Sequence, residues 1–106
     1  MDRAFEDFPV GSRFVSGSQT ISKEEIIEFA RRYDPQPFHL ETGPTENLLG
    51  GLAASGWQTA AISMRLFIDT MQVEGGIIGR AIDELRWPAP VRPGDSLRVE
   101  DRKSVV

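Results

Sequence analysis

Residues 50–71 read GGLAASGWQTAAISMRLFIDTM. Within this stretch Ala53, Trp57, Ala60, Ala61, Met64, Phe67, Ile68 and Met71 recur at spacings of three and four, the period of a helix. The apolar positions cover much of the circumference, which predicts a deeply buried helix in which Trp57, Met64 and Phe67 are core rather than a cofactor site. Gly50, Gly51, Ser55 and Gly56 stand at its start, where small side chains let another group approach the backbone closely. Gly75 and Gly76 end the element.

Working toward the N-terminus, Asp34 to Gly51 carries three prolines and three glycines without periodicity, the pattern of irregular backbone. Before it, Ser22-Lys23-Glu24-Glu25 forms a capping box. The serine can bind the amide three residues on while Glu25 reaches back. Ile26, Ile27, Phe29, Ala30 and Tyr33 then share one face, and Pro35 stops the pattern, so a helix is predicted from Lys23 to Tyr33. Arg13 to Ile21, with Phe14, Val15 and Ile21 among small polar residues, reads as a strand. On the C-terminal side, Ile77 to Trp87 reads as a long strand with Ala81, Leu85 and Trp87 on one face. Pro93-Gly94-Asp95 signals a turn, after which Leu97 and Val99 alternate with polar residues as a further strand. Strands and helices in this order predict one α+β domain over residues 1–106, an antiparallel sheet packed on helices.

A chain of 106 residues, 40% hydrophobic and 26% charged, has the composition of one globular domain. The apolar stretch from Trp57 to Met71 is interrupted by Gln58, Arg65 and Asp69, which argues against a membrane span. The opening Met-Asp-Arg lacks a signal-like apolar run, and the absence of cysteine suits a reducing compartment, so a cytoplasmic location is expected. The net charge of −4 and scattered arginines do not form a nucleic-acid footprint. A phosphate-bearing ligand would depend on local arginines such as Arg80, Arg86 and Arg92. Of these, Arg86 and Arg92 are read as lying on a solvated face.

His39 is the sole histidine, five residues after Asp34 in Asp34-Pro35-Gln36-Pro37-Phe38-His39. Five residues apart, the two side chains would point about 140° apart on a helix and sit about 16 Å apart in extended chain. Only a turn unites them. The prolines disfavour helix at Asp34 and Gln36, so the segment is expected to be fixed and non-helical, as a two-group acid/base site requires. The plainer alternative makes Asp34 a turn former and His39 a residue at the core edge. One histidine and no cysteine exclude the usual zinc sites. Ser55 lacks the preceding glycine of a nucleophile elbow, and the glycines at 51 and 56 are not followed by a phosphate-loop lysine. Those glycines read either as packing room or as an oxyanion site of free amides at a helix start.

Taken together, these residues resemble the MaoC-like acyl dehydratases, the family of (R)-specific enoyl-CoA hydratases with a hot-dog fold. Four blocks carry the likeness: Phe5-Glu6-Asp7-Phe8-Pro9-Val10-Gly11, the Asp34 to His39 segment, Gly50 to Trp57, and Leu85 to Asp95. The resemblance implies a sheet wrapped around the buried central helix, and strands that continue past Val106, so that the domain reads as shortened at its C-terminus. In the family an aspartate and a histidine in an Asp-x-Asn-Pro-x-His loop hold the water added across an enoyl double bond. Asp34 and His39 occupy those positions, with Gln36 where the pattern has asparagine. The resemblance further implies an amide near Gly56, beside Ser55, that meets the thioester oxygen. It implies no metal or cofactor, a coenzyme A or carrier-protein acyl thioester as substrate, and a homodimer. Two other readings are a hot-dog thioesterase, which would need a carboxylate such as Asp69 or Glu74 near the central helix, and a non-catalytic acyl-binding or assembly module.

Overall fold

The computed structural model describes residues 9–42, 48–72, 75–76 and 82–102. The predicted first strand is present as two short pieces, β1 (Arg13–Val15) and β2 (Gln19–Thr20). Ser16 explains the break. Its backbone N–H still donates to the Val99 carbonyl at 2.9 Å, but its hydroxyl, not its carbonyl, receives the Val99 N–H at 2.7 Å. A side chain has replaced the next rung of the ladder.

The capping box forms as the sequence predicts. Ser22 Oγ accepts the Glu25 N–H at 3.1 Å and the Glu25 carboxylate receives the Ser22 N–H at 3.3 Å, opening α1 (Lys23–Tyr33). Ile26 and Ala30, one turn apart, are fully buried, whereas Tyr33 is exposed. The segment after Asp34 departs from expectation because residues Pro37–Leu40 make a single helical turn, α2. Pro37 stands at its first position, where a proline's missing N–H costs nothing and its fixed φ suits the helix. Gln36 before it is extended, at φ −104° and ψ 149°, as a residue preceding proline should be.

The long helix is α3 (Gly56–Met71). Gln58, Ile62, Leu66 and Met71 are its buried residues, so one face enters the core. Deep burial on all sides does not hold: Trp57, Met64 and Ile68 are 59%, 58% and 41% exposed, and Trp57 and Met64 are not core residues. The described elements pack mainly on one side of α3 and leave this opposite stripe partly exposed. The predicted strand Ile77 to Trp87 is also corrected. Its first part, 77–81, lies outside the described residues, and Ile82 to Trp87 is exposed irregular chain.

The turn at Arg92 to Asp95 is as predicted. Asp95 N–H donates to the Arg92 carbonyl at 3.1 Å, and Gly94 takes the positive φ of 88° that follows proline in a type II turn. It leads into β3 (Ser96–Leu97) and β4 (Glu100–Arg102). β1 pairs antiparallel with β4, Phe14 facing Asp101, and β2 pairs antiparallel with β3, Gln19 facing Leu97. Between these strands and the helices lies a core of Ile21, Ile26, Ala54, Ile62 and Leu66, flanked by Leu52, Val91, Leu97 and Val99. No helix among the described residues is long and apolar enough to cross a membrane.

Candidate active site

Asp34 is the first residue past α1. Its own N–H still donates to Ala30 O at 2.9 Å, but φ −153° and ψ 65° take the chain out of the helix. Two prolines then bend the chain, and α2 carries His39 back toward Asp34. The two side chains awkwardly spaced in sequence meet in space: His39 Nε2 lies 3.2 Å from Asp34 Oδ2. The rigid turn expected from the prolines is thus built partly from a helical turn, which corrects the non-helical reading.

His39 is 6% exposed, and its Nδ1 lies 2.7 Å from the carbonyl oxygen of Ala53. A carbonyl can only accept, so Nδ1 carries the hydrogen, leaving Nε2 as the nitrogen that faces the carboxylate. Asp34 receives donors on both oxygens. Gln36 Nε2 donates to Oδ1 and the fully buried Ser55 Oγ donates to Oδ2 at 2.7 Å. Burial pushes the Asp34 carboxyl up, but the hydrogen bonds from Gln36 and Ser55 and the positive charge available to His39 outweigh it. The carboxyl is therefore held below the usual carboxylate range.

Both groups line a cleft of about 420 Å³ whose walls include Ala53, Gly56, Trp57 and Trp87. Gly56 opens α3, where the first amides lack intrahelical partners. A side chain there would displace Trp87. A Cβ there would lie 2.5 Å from the Trp87 ring, and Trp87 Nε1 donates to the Gly56 carbonyl at 3.0 Å. Trp57 meets Trp87 edge to face, with ring centroids 5.5 Å apart, closing one side of the cleft mouth.

The family model described as the MaoC like domain matches residues 8–104. This chain belongs to the MaoC-like family. A MaoC-like dehydratase from Rhodospirillum rubrum shares 51% identity and superposes with a TM-score of 0.84, over 92% of this chain and 68% of that one. The uncharacterized protein YdeM of Bacillus subtilis is 35% identical over 94 residues, 87% of this chain and 67% of the relative. A protein from Archaeoglobus described as a monoamine oxidase regulatory protein has the same fold at 20% identity, with a TM-score of 0.79 over 93% and 69% of the two chains. The architecture is the MaoC-like hot-dog fold, an antiparallel sheet with a central helix, here α3.

Within this MaoC-like frame, Asp34, His39, Ser55 and Gly56 are neighbours, and the Ser55 hydroxyl donates to Asp34. Sequence reading missed Ser55 as a partner of Asp34, and the Ala53 carbonyl as the partner of His39, because 21 and 14 residues separate them. Gln36, two residues from Asp34, was within reach of local side-chain reasoning. Arg92 is also corrected. It is not on a solvated face: its guanidinium is part-buried and donates to the carbonyls of Leu52 and Leu49. Arg86 is solvated as read, its side chain 80% exposed. Of the carboxylates considered for a thioesterase, Asp69 lies outside the cleft, exposed and 2.8 Å from Arg65, and Glu74 is outside the described residues.

Proposed function

We propose that this protein adds water reversibly to a trans-2-enoyl thioester, giving an (R)-3-hydroxyacyl thioester. The observation that carries this reading is the 3.2 Å approach of His39 Nε2 to Asp34 Oδ2 on the wall of an apolar cleft beside the start of α3. Hydration needs a base for the water proton and an acid for C2, side by side on one face of the double bond. Asp34, held ionised, takes a proton from the water whose oxygen bonds to C3. His39, as the imidazolium with its Nδ1–H on the Ala53 carbonyl, delivers its Nε2 proton to C2 as the double bond is consumed, leaving Nε2 bare. The proton now on Asp34 returns to His39 across the short gap, so water has been added and both groups are restored.

Charge that builds on the thioester oxygen meets the amides at the α3 N-terminus near Gly56. Trp57 and Trp87 offer apolar walls for the acyl portion, whose carrier is coenzyme A or an acyl-carrier protein. We take the protein to act as a cytoplasmic homodimer, in which the exposed Met64 and Ile68 would be covered. The test is steady-state hydration of a short trans-2-enoyl-CoA, followed by loss of the conjugated double bond and by the handedness of the product. Turnover to the (R) product is expected. No turnover with any chain length would leave a non-catalytic acyl-binding module as the better reading.

A further inference from the structure

Of three consecutive residues between the cleft and the core, the first and the last each touch one member of the acid/base pair. Ala53 N–H donates to Phe38 O at 2.9 Å and Ala53 O receives His39 Nδ1–H at 2.7 Å. Ala54 N–H donates to Val91 O at 2.8 Å, and Ser55 Oγ donates to Asp34. The chain leading into this run is wrapped around Arg92. Nη1 donates to Leu52 O at 3.1 Å and Nη2 to Leu49 O. Gly50 and Gly51, between those carbonyls, take φ of +70° and +132°, a backbone that side-chain-bearing residues rarely adopt, and a Cβ on either would be in ordinary contact with the guanidinium, 3.6 and 3.5 Å from its nitrogens. A planar fork with five donors can hold two converging carbonyls, which a lysine ammonium on a flexible stem does less well.

Arg92 itself stands on firm ground. Its N–H donates to Asp95 Oδ2 at 2.9 Å within the turn, and the turn is tied to fully buried Ile21 by Gly94 N–H to Ile21 O at 2.8 Å and Ile21 N–H to Asp95 O at 3.0 Å. A continuous path therefore runs from the core through the Arg92 turn and the 49–53 backbone to the imidazole.

We propose that Arg92 is a positioning residue for His39, acting through the Leu49 to Ala53 backbone to fix the Ala53 carbonyl that selects the Nδ1–H tautomer. Its effect on turnover rests on the hydration reading; its effect on the imidazole does not. With the carbonyl displaced, the neutral ring is free to place its hydrogen on Nε2, toward the Asp34 carboxylate. Nε2 then already holds a hydrogen and cannot take back the proton that Asp34 gains from the water.

The chain has one histidine, so its ring nitrogens give one unambiguous set of signals in a tag-free, nitrogen-15-labelled full chain. Long-range proton–nitrogen correlation spectra at alkaline pH should show the Nδ1–H form in the parent and a gain of the Nε2–H form in Arg92→Ala. Hydration by Arg92→Ala should fall in kcat by about 10-fold to 100-fold, the scale of a small misplacement of a catalytic group, with a smaller change in KM. Millimolar guanidinium should restore part of it. Arg92→Lys should lie between, and should decide the matter in the same way if Arg92→Ala fails to fold. A parent in the Nε2–H form, or a folded variant whose ring nitrogens match the parent's, would overturn the proposal. If the parent hydrates no enoyl thioester, the functional reading falls, while the ring nitrogens still decide what Arg92 does.

Discussion

Replacing Ser55 by alanine removes one of the two neutral donors that keep the part-buried Asp34 ionised. Ser55 is fully buried, and its Oγ lies 2.7 Å from Asp34 Oδ2. A hydrogen bond to a charged group is worth about 1.5–3 kcal/mol, and alanine recovers part of that because it no longer buries a hydroxyl. The expected net loss is about 1–2 kcal/mol at neutral pH. Because the folded-state carboxyl lies below its unfolded value, Asp34 contributes stability above the unfolded value, and that contribution is lost as pH falls through the folded one. Ser55→Ala narrows the separation, so variant and parent should differ most near neutrality and converge in acid. Urea unfolding followed by Trp57 and Trp87 fluorescence, at about pH 7 and about pH 3, measures the gap on either side of the ordinary carboxylate range. The acid limb of the hydration profile should also move to higher pH, since the base ionises less readily. A stability gap that is the same at both pH values, or an unmoved acid limb, would refute the assignment of Ser55 as the donor that holds Asp34 charged.

Asp34→Asn and His39→Ala should each lower hydration by about 100-fold to 10,000-fold while leaving the fold intact by circular dichroism. The double variant should lose far less than the product of the two, since removing either group disables the unit; multiplicative losses in steady-state rates would separate their roles. Gly56→Ala should destabilise by about 1–2 kcal/mol in denaturant unfolding. The added methyl collides with the Trp87 ring, but half-exposed Trp87 can shift and helix propensity returns part of the cost. An unmoved Trp87 indole resonance would contradict that contact. Ser22→Ala should cost about 1 kcal/mol of thermal or chemical stability through loss of the capping box.

What was legible in the sequence is what short-range chemistry determines. Ser22 and Glu25 are three residues apart, and the helix they open ends at Tyr33 as Pro35 requires. Pro93 and Gly94 write their turn in the same local terms. Pro37 shows the limit of such reasoning, because the residue that bars helix before itself also starts one. The pairing of Asp34 with His39 follows from the chemistry and the family likeness, but the turn of helix that achieves it does not. Arg92 escapes local reading because its partners are backbone carbonyls 40 and 43 residues away, which no local pattern records. The alternation seen between Ile77 and Trp87 likewise says what would suit a strand, and residues 82–87 have no neighbouring strand among the described residues to pair with.

The run from Ala53 to Ser55 gives the acid and the base a common mount. A carbonyl from one residue and a hydroxyl two residues later address His39 and Asp34 respectively. For anyone transplanting this pair to another scaffold, the portable unit is therefore not the six-residue Asp34 to His39 loop. It is that loop together with a second, non-contiguous tripeptide, and a host that supplies only the first would carry the right side chains without their alignment.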